Sequence, residues 1–293
     1  MKNPSLDRRT VLQGMAISAA TLPLANFIAC GVANDDTENS GLDSMDASTV
    51  EDGGSSTDGG QNDAGVADDW ATGGTSSMTG NYPDPFSDGI GTTCTLTCAA
   101  TLGPCYANTL ERMDISEGQS GLPVRLAFLI IDEACNPIDG AEIDIWHTSA
   151  TGLYSGEDAS NMCTFGDAEA RAGRWFRGVQ TTDSSGRADF DTCFPGWYSG
   201  RTIHIHFTIR VGGTEYVTSQ LFFDDSLSDE IIATQPIYSD RGARDTTNTN
   251  DNVIRSADIE DYVFRTERMP DGAMLASKAI VIRSSVDSAL CQL

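Results

Sequence analysis

In the C-terminal two thirds of the chain, apolar residues alternate with polar ones or run in short blocks bounded by Gly, Pro, Asn and Asp. A period of two puts neighbouring side chains on opposite faces, so these blocks predict strands rather than long helices. The candidates are VRLAFLIID (124–132), AEIDIWH (141–147), WFRGVQTT (175–182), RADFDT (187–192), RTIHIHFTIR (201–210), EYVTSQLFF (215–223) and SKAIVIR (277–283). NPIDG (136–140), DSSG (183–186) and Gly212 with Gly213 supply turns between them. SLSDEIIAT (226–234) predicts one short helix, with Ser226 or Ser228 as its N-cap. Seven strands and few helices predict an all-β fold, a β-sandwich with short helices and long loops, over residues 81–293.

The first 80 residues lack this pattern. LDRRTVLQGMAISAATLPLANFIAC pairs Arg8 and Arg9 with a weakly apolar run, which predicts a twin-arginine export signal over residues 1–30. Gln13, Ser18, Thr21, Pro23 and Asn26 make that run too polar for a membrane span, which needs about 20 apolar residues. FIAC, ending at Cys30, matches a lipoprotein cleavage box apart from Phe27, so Cys30 is a candidate lipid anchor. Residues 31–80 are Gly, Ser, Thr, Asn and Asp with eleven acidic residues and no Lys or Arg. Such a segment buries too little apolar surface to offset its ordering entropy, and it reads as a disordered acidic tether. The expected location is periplasmic or at the cell surface, with the oligomeric state left open.

Charge excludes one class of function. The whole chain carries −25 and residues 81–293 retain −16, which opposes binding to nucleic acid and to anionic lipid. Eight cysteines in an exported chain favour disulfides. Without Cys30 seven remain, so at least one is unpaired, or else Cys30 itself is a partner rather than an anchor. Cys163 with Cys193 is one bridge the sequence suggests. Zinc on the cluster from Cys94 to Cys105 is disfavoured, since an oxidising compartment favours bridges and no histidine lies nearby.

The chemistry centres on PGWYSGRTIHIHF, residues 195–207. On a strand, His204 and His206 project from one face while Ile205 points into the opposite layer. An isolated His-x-His is most often a solvated strand face. Tyr198 lies in a Gly-bounded loop just upstream, and Tyr154 in a second Gly-rich loop directly after a strand. Two phenolates and two imidazoles form a coherent set for a trivalent iron, hard anionic oxygens with neutral nitrogens.

The segments 110–156, 174–209 and TSQLFFDD (218–225) together resemble the intradiol ring-cleavage dioxygenases, especially their secreted branch. The resemblance covers about residues 94–254. It implies a prealbumin-like sandwich and one Fe(III) per chain, held by Tyr154, Tyr198, His204 and His206. It implies cleavage of a catechol-type ring by O2 to a cis,cis-muconate-type diacid. Tyr198 would leave the iron and take a substrate proton, Arg201 would stabilise charge on the ring, and Gln220 would orient it. Two departures stand out. Where the family has a GPYY-like segment whose tyrosine reaches the substrate, this chain reads LGPCYANT, with Cys105 at that place and Tyr106 one residue on as the candidate substrate contact. Thr148 stands where secreted relatives carry a cysteine after Trp-His, so Cys135 pairs elsewhere or stays free. His147 is expected in the core or behind the ligands. The alternative function is an exported binding domain that keeps the metal motif without dioxygenase activity.

Overall fold

The computed structural model describes residues 69–90, 94–253 and 259–293. The export signal, Cys30 and the tether up to residue 68 lie outside the described residues. Among the described residues eight strands form two four-stranded sheets. The strands are β1 (Pro123–Asp132), β2 (Ala141–Trp146), β3 (Arg177–Thr181), β4 (Arg187–Cys193), β5 (His204–Val211), β6 (Thr214–Phe222), β7 (Arg265–Arg268) and β8 (Met274–Ile282). One sheet has the order β4-β1-β8-β7 and the other β3-β2-β5-β6; only β1 with β8 is parallel. Each of the seven expected strands is present. β7 was not foreseen, because RTER carries no apolar alternation and shows itself only by pairing with β8.

The core between the sheets follows from alternation. Val124, Leu126, Phe128 and Ile130 of β1 meet Ile143 and Ile145 of β2 and Ile205, Phe207 and Ile209 of β5, all fully buried. Each such side chain contributes roughly 1.5–3 kcal/mol. That burial fixes the register of β5, since a one-residue slip would turn both histidines into the core and expose the three apolar residues.

Helices are short: α1 (Asn161–Thr164), α2 (Ala168–Ala172), α3 (Asp225–Thr234) and α4 (Pro236–Ser239). α3 is the expected helix, but its cap is Asp224, which accepts from Ser226 and Leu227 backbone N–H groups at 2.8 and 3.0 Å. A carboxylate at the helix start also meets the positive end of the dipole, so Asp224 displaces the serine caps expected.

Residues 69–80, assigned by composition to the tether, belong to the folded domain. Trp70 is buried, its indole N–H donates to Glu230 at 3.0 Å, and Arg268 stacks over it at 4.1 Å. Gly74 N–H also donates to Gly121 O at 2.9 Å. One tryptophan supplies the apolar surface that the rest of the segment lacks, and the boundary lies before Asp69 rather than after Gly80.

Among the described residues three disulfides connect Cys94 with Cys135, Cys98 with Cys291 and Cys105 with Cys163. Cys193 is a buried free thiol. The expected bridge between Cys163 and Cys193 does not form. Cys193 lies at the end of β4, its thiol directed at Gln119 O, whereas Cys163 closes on the loop that holds Cys105.

Candidate metal centre

β5 presents His204 and His206 on the outer face of its sheet, and there they are buried, because loops 101–107, 147–156 and 194–203 cover that end. Two glycines let the tyrosine loops close on each other. A Cβ on Gly196 would collide with Ala150 O, and one on Gly152, whose φ is +78°, would collide with Trp197 O. Gly196 N–H donates to Ser149 O at 3.0 Å and the Thr148 hydroxyl donates to Gly196 O at 2.7 Å. The loops thereby bring Tyr154 and Tyr198 over the β5 histidines.

Four donor atoms converge. The hydroxyls of Tyr154 and Tyr198 each lie 3.3 Å from His204 Nε2, which is 3.2 Å from His206 Nε2. Ligands sharing one first-row metal at bonds of roughly 2.1 Å, about 90–110° apart, are separated by about 3.0–3.4 Å. His204 Nδ1 donates to Thr202 O at 2.6 Å, which leaves the Nε2 lone pair for the centre. His206 stacks flat on Trp146 with centroids 4.9 Å apart, and Gly103, with φ +73°, passes over its Cε1.

Burial, reinforced by Arg201, pushes His204 down to about 3, and burial with the neighbouring His204 holds His206 well below the usual imidazole range. Both rings are therefore neutral, the form that ligates metal. Burial, then the neighbouring Tyr198, raises the Tyr154 hydroxyl well above the ordinary phenol; burial also raises Tyr198, against the pull of Arg201. A buried phenol, a half-buried one and two neutral imidazoles, sharing one point with no cation among them, fit a hard trivalent ion whose charge would favour the phenolates.

Arg201 does not point to water. Its Nε donates to the buried Asp251 Oδ2 at 2.9 Å, and its Nη2 hydrogen-bonds Gln220 Oε1. Asp251 also accepts from Thr202 N–H at 2.8 Å, and Gln220 Nε2 donates to Thr101 O at 3.0 Å. Gln220 is opposite His206 in the β5–β6 register. Six of the expected site residues are thus gathered at one end of one sheet.

Tyr106 is placed elsewhere. Its hydroxyl donates to Asp144 Oδ2 at 2.9 Å, shared with Arg210 Nη1 at 3.0 Å, and its ring meets Trp146 edge-on at 4.9 Å. Asp144 is a buried carboxylate that needs those donors, so Tyr106 is a packing residue behind His206 rather than a substrate contact. His147 is in the core as expected, stacked on Phe176 at 4.8 Å and bonded to Thr148 O and Thr192 Oγ1, both at 2.8 Å.

Sequence reading missed Asp251 and Arg177. Arg177 is fully buried behind Tyr154, with Nε donating to Ser155 O at 2.8 Å and Nη2 to Cys105 O at 2.7 Å. A lone arginine in a strand pattern was its only signal. Asp251, in a stretch of Thr, Asn and Asp, gave none.

A half-open cavity of about 540 Å³ adjoins the centre, lined by Tyr154, Tyr198 and the Cys105–Cys163 bridge. A sequence model of the family described as Dioxygenase matches residues 101–266, more than half of the chain. A chlorocatechol 1,2-dioxygenase of Pseudomonas putida is 29% identical over 103 residues, covering 29% of this chain and 36% of that protein, so the match spans about a third of the curated relative. A solved structure of an intradiol ring-cleavage dioxygenase from Tetranychus urticae shares 27% identity and a TM-score of 0.59, covering 68% of this chain and 99% of that one. A second dioxygenase crystal structure shares 27% identity and a TM-score of 0.58, over 65% of this chain and 95% of that one. From the matched segment, the sandwich and its site, the chain belongs to the intradiol ring-cleavage dioxygenase family.

Proposed function

We propose that this chain is an exported Fe(III)-dependent intradiol dioxygenase that cleaves a catechol-type ring with O2 to a cis,cis-muconate-type diacid. The convergence of Tyr154, Tyr198, His204 and His206 on one buried point carries the reading. Ferric iron held there would draw electron density from the phenolates, acidify a chelating catechol and render its ring reactive toward O2. Both oxygen atoms end in the diacid, so no external reductant is required.

The chain's own residues divide the remaining work. Tyr154 is buried with Arg177 behind it, a fixed ligand; Tyr198 is half-buried, lines the cavity, and can turn away so that its Oη takes a catechol proton. His204 and His206 keep their places through Thr202 O and Trp146. Arg201, aimed by Asp251, supplies positive charge where the ring becomes electron-rich, and Gln220 orients both. Export is part of the proposal, supported by Arg8 with Arg9 and by three disulfides.

The test is metal analysis and visible absorption of purified protein, with oxygen uptake over catechol, protocatechuate, hydroxyquinol and lignin-derived catechols. The expected protein holds one iron, shows a phenolate-to-iron absorption band that Tyr154→Phe abolishes or shifts, and consumes O2. Colourless, iron-free protein would overturn the reading; a coloured protein inert toward every catechol would favour the binding domain.

A further inference from the structure

The cavity beside the centre carries information about the substrate that the four ligands do not. Not one of its lining residues is charged. Apart from the two tyrosine hydroxyls, only Asn161 and Ser199 offer polar side chains to it. Arg201, Arg177, Arg241 and Arg171 do not line it and have partners of their own: Asp251 for Arg201, the carbonyls of Ser155 and Cys105 for Arg177, Trp197 O for Arg241, and Asn161 Oδ1 at 3.2 Å for the exposed Arg171. A carboxylate entering here would lose water and meet no charged group among the lining residues. The domain's net negative charge adds repulsion at longer range.

Size points the same way. A dry cavity of about 150 Å³ suffices for benzene, whereas this one measures about 540 Å³. A single catechol ring would leave most of it empty. Met162 and Phe165 line the cavity and yet are 66% and 72% exposed, which is unusual for large apolar side chains on a monomer. Phe165 is held at φ +48° on the C-terminal side of α1, and the Cys105–Cys163 bridge fixes that short helix to the opposite loop. The apolar pair is therefore presented on an anchored element.

Resting on the dioxygenase reading, we propose that the substrate is an uncharged catechol bearing an aryl or comparably bulky apolar substituent, which lies against Met162 and Phe165, and that ring-bound carboxylates are rejected. A phenyl group buried there should tighten binding roughly 10- to 100-fold over catechol itself.

The experiment is anaerobic calorimetric titration of the iron-loaded full chain with catechol, 4-phenylcatechol and protocatechuate, repeated for Met162→Ala/Phe165→Ala. The expected order is 4-phenylcatechol tightest and protocatechuate weakest, with the advantage of 4-phenylcatechol over catechol falling at least tenfold in the double variant. If catechol binds but 4-phenylcatechol is no tighter, or protocatechuate equals it, the substrate inference fails while the dioxygenase reading stands. If the advantage survives unaltered in the double variant, the assignment of Met162 and Phe165 fails. If none of the three binds iron-loaded protein, the dioxygenase reading itself fails, and this inference with it.

Discussion

Replacing Cys105 and Cys163 together by alanine removes a bridge that belongs equally to the fold and to the cavity. The bridge spans 58 residues. In the unfolded chain the constraint is tighter, because Cys94–Cys135 remains closed and offers a shorter path of about 39 residues between the same two positions. Loop-closure entropy for that length amounts to about 4 kcal/mol at 25 °C. For a domain of this size each kcal/mol moves Tm by about 2–4 °C, so the expected fall is about 8–16 °C. Calorimetry without reductant is the assay, on iron-free protein, so that metal linkage does not mask the difference. A fall below about 3 °C would refute the argument, since it would mean that the unfolded chain gains little freedom from opening this loop.

Further outcomes follow from single contacts. Asp251→Asn keeps an acceptor for Thr202 N–H but removes the charge that aims Arg201, so kcat for oxygen uptake should drop at least about tenfold at unchanged iron content; unchanged kcat would remove Arg201 positioning from the mechanism. Gly103→Ala places a Cβ 3.3 Å from His206 Cε1 at φ +73°, and iron should be lost to a chelator roughly 10- to 100-fold more readily while Tm changes little; equal retention would show that the ring yields freely. Burial pushes His147 down to about 3, against an unfolded value of about 6.5. Its contribution is complete above the unfolded value and fades as pH falls through that window, by about 2 kcal/mol at pH 5. The urea midpoint of iron-free protein should therefore drop more between pH 7 and pH 5 than that of His147→Gln, and equal drops would place the charge cost elsewhere.

How far the sequence foretold the site depended on what fixes each residue. Period-two alternation put His204 and His206 on one face, and burial of Ile205, Phe207 and Ile209 held them there. Gln220, like Arg201, was expected only through the family resemblance, on the strand next to β5. Tyr154 and Tyr198 were legible as residues of glycine-rich loops, but the interlock that joins the loops, Gly196 on Ala150 O and Gly152 on Trp197 O, is tertiary. Asp251 joins Arg201 across 50 positions in sequence, so no local pattern could announce it. Cysteine pairing failed for the same reason: parity left either an unpaired thiol or a bridge to Cys30, and that Cys193 stays free depended on where β4 ends. Composition misassigned residues 69–80 because an average over fifty residues hides one tryptophan that finds a pocket.

Cys105 belongs to both the fold and the cavity. The family resemblance puts a substrate-reaching tyrosine at that position, and here the residue is half of a bridge that lines the cavity while Tyr106 turns to Asp144. A hydroxyl that could bond a polar substituent is replaced by a rigid apolar wall, which shifts recognition from hydrogen bonding toward shape and dispersion. The double alanine variant separates the two roles of the bridge. A mere staple would cost stability and leave the preference for 4-phenylcatechol over catechol intact. As a wall, its loss should also free the element carrying Met162 and Phe165 and reduce that preference, titrated at a temperature at which circular dichroism shows the variant folded.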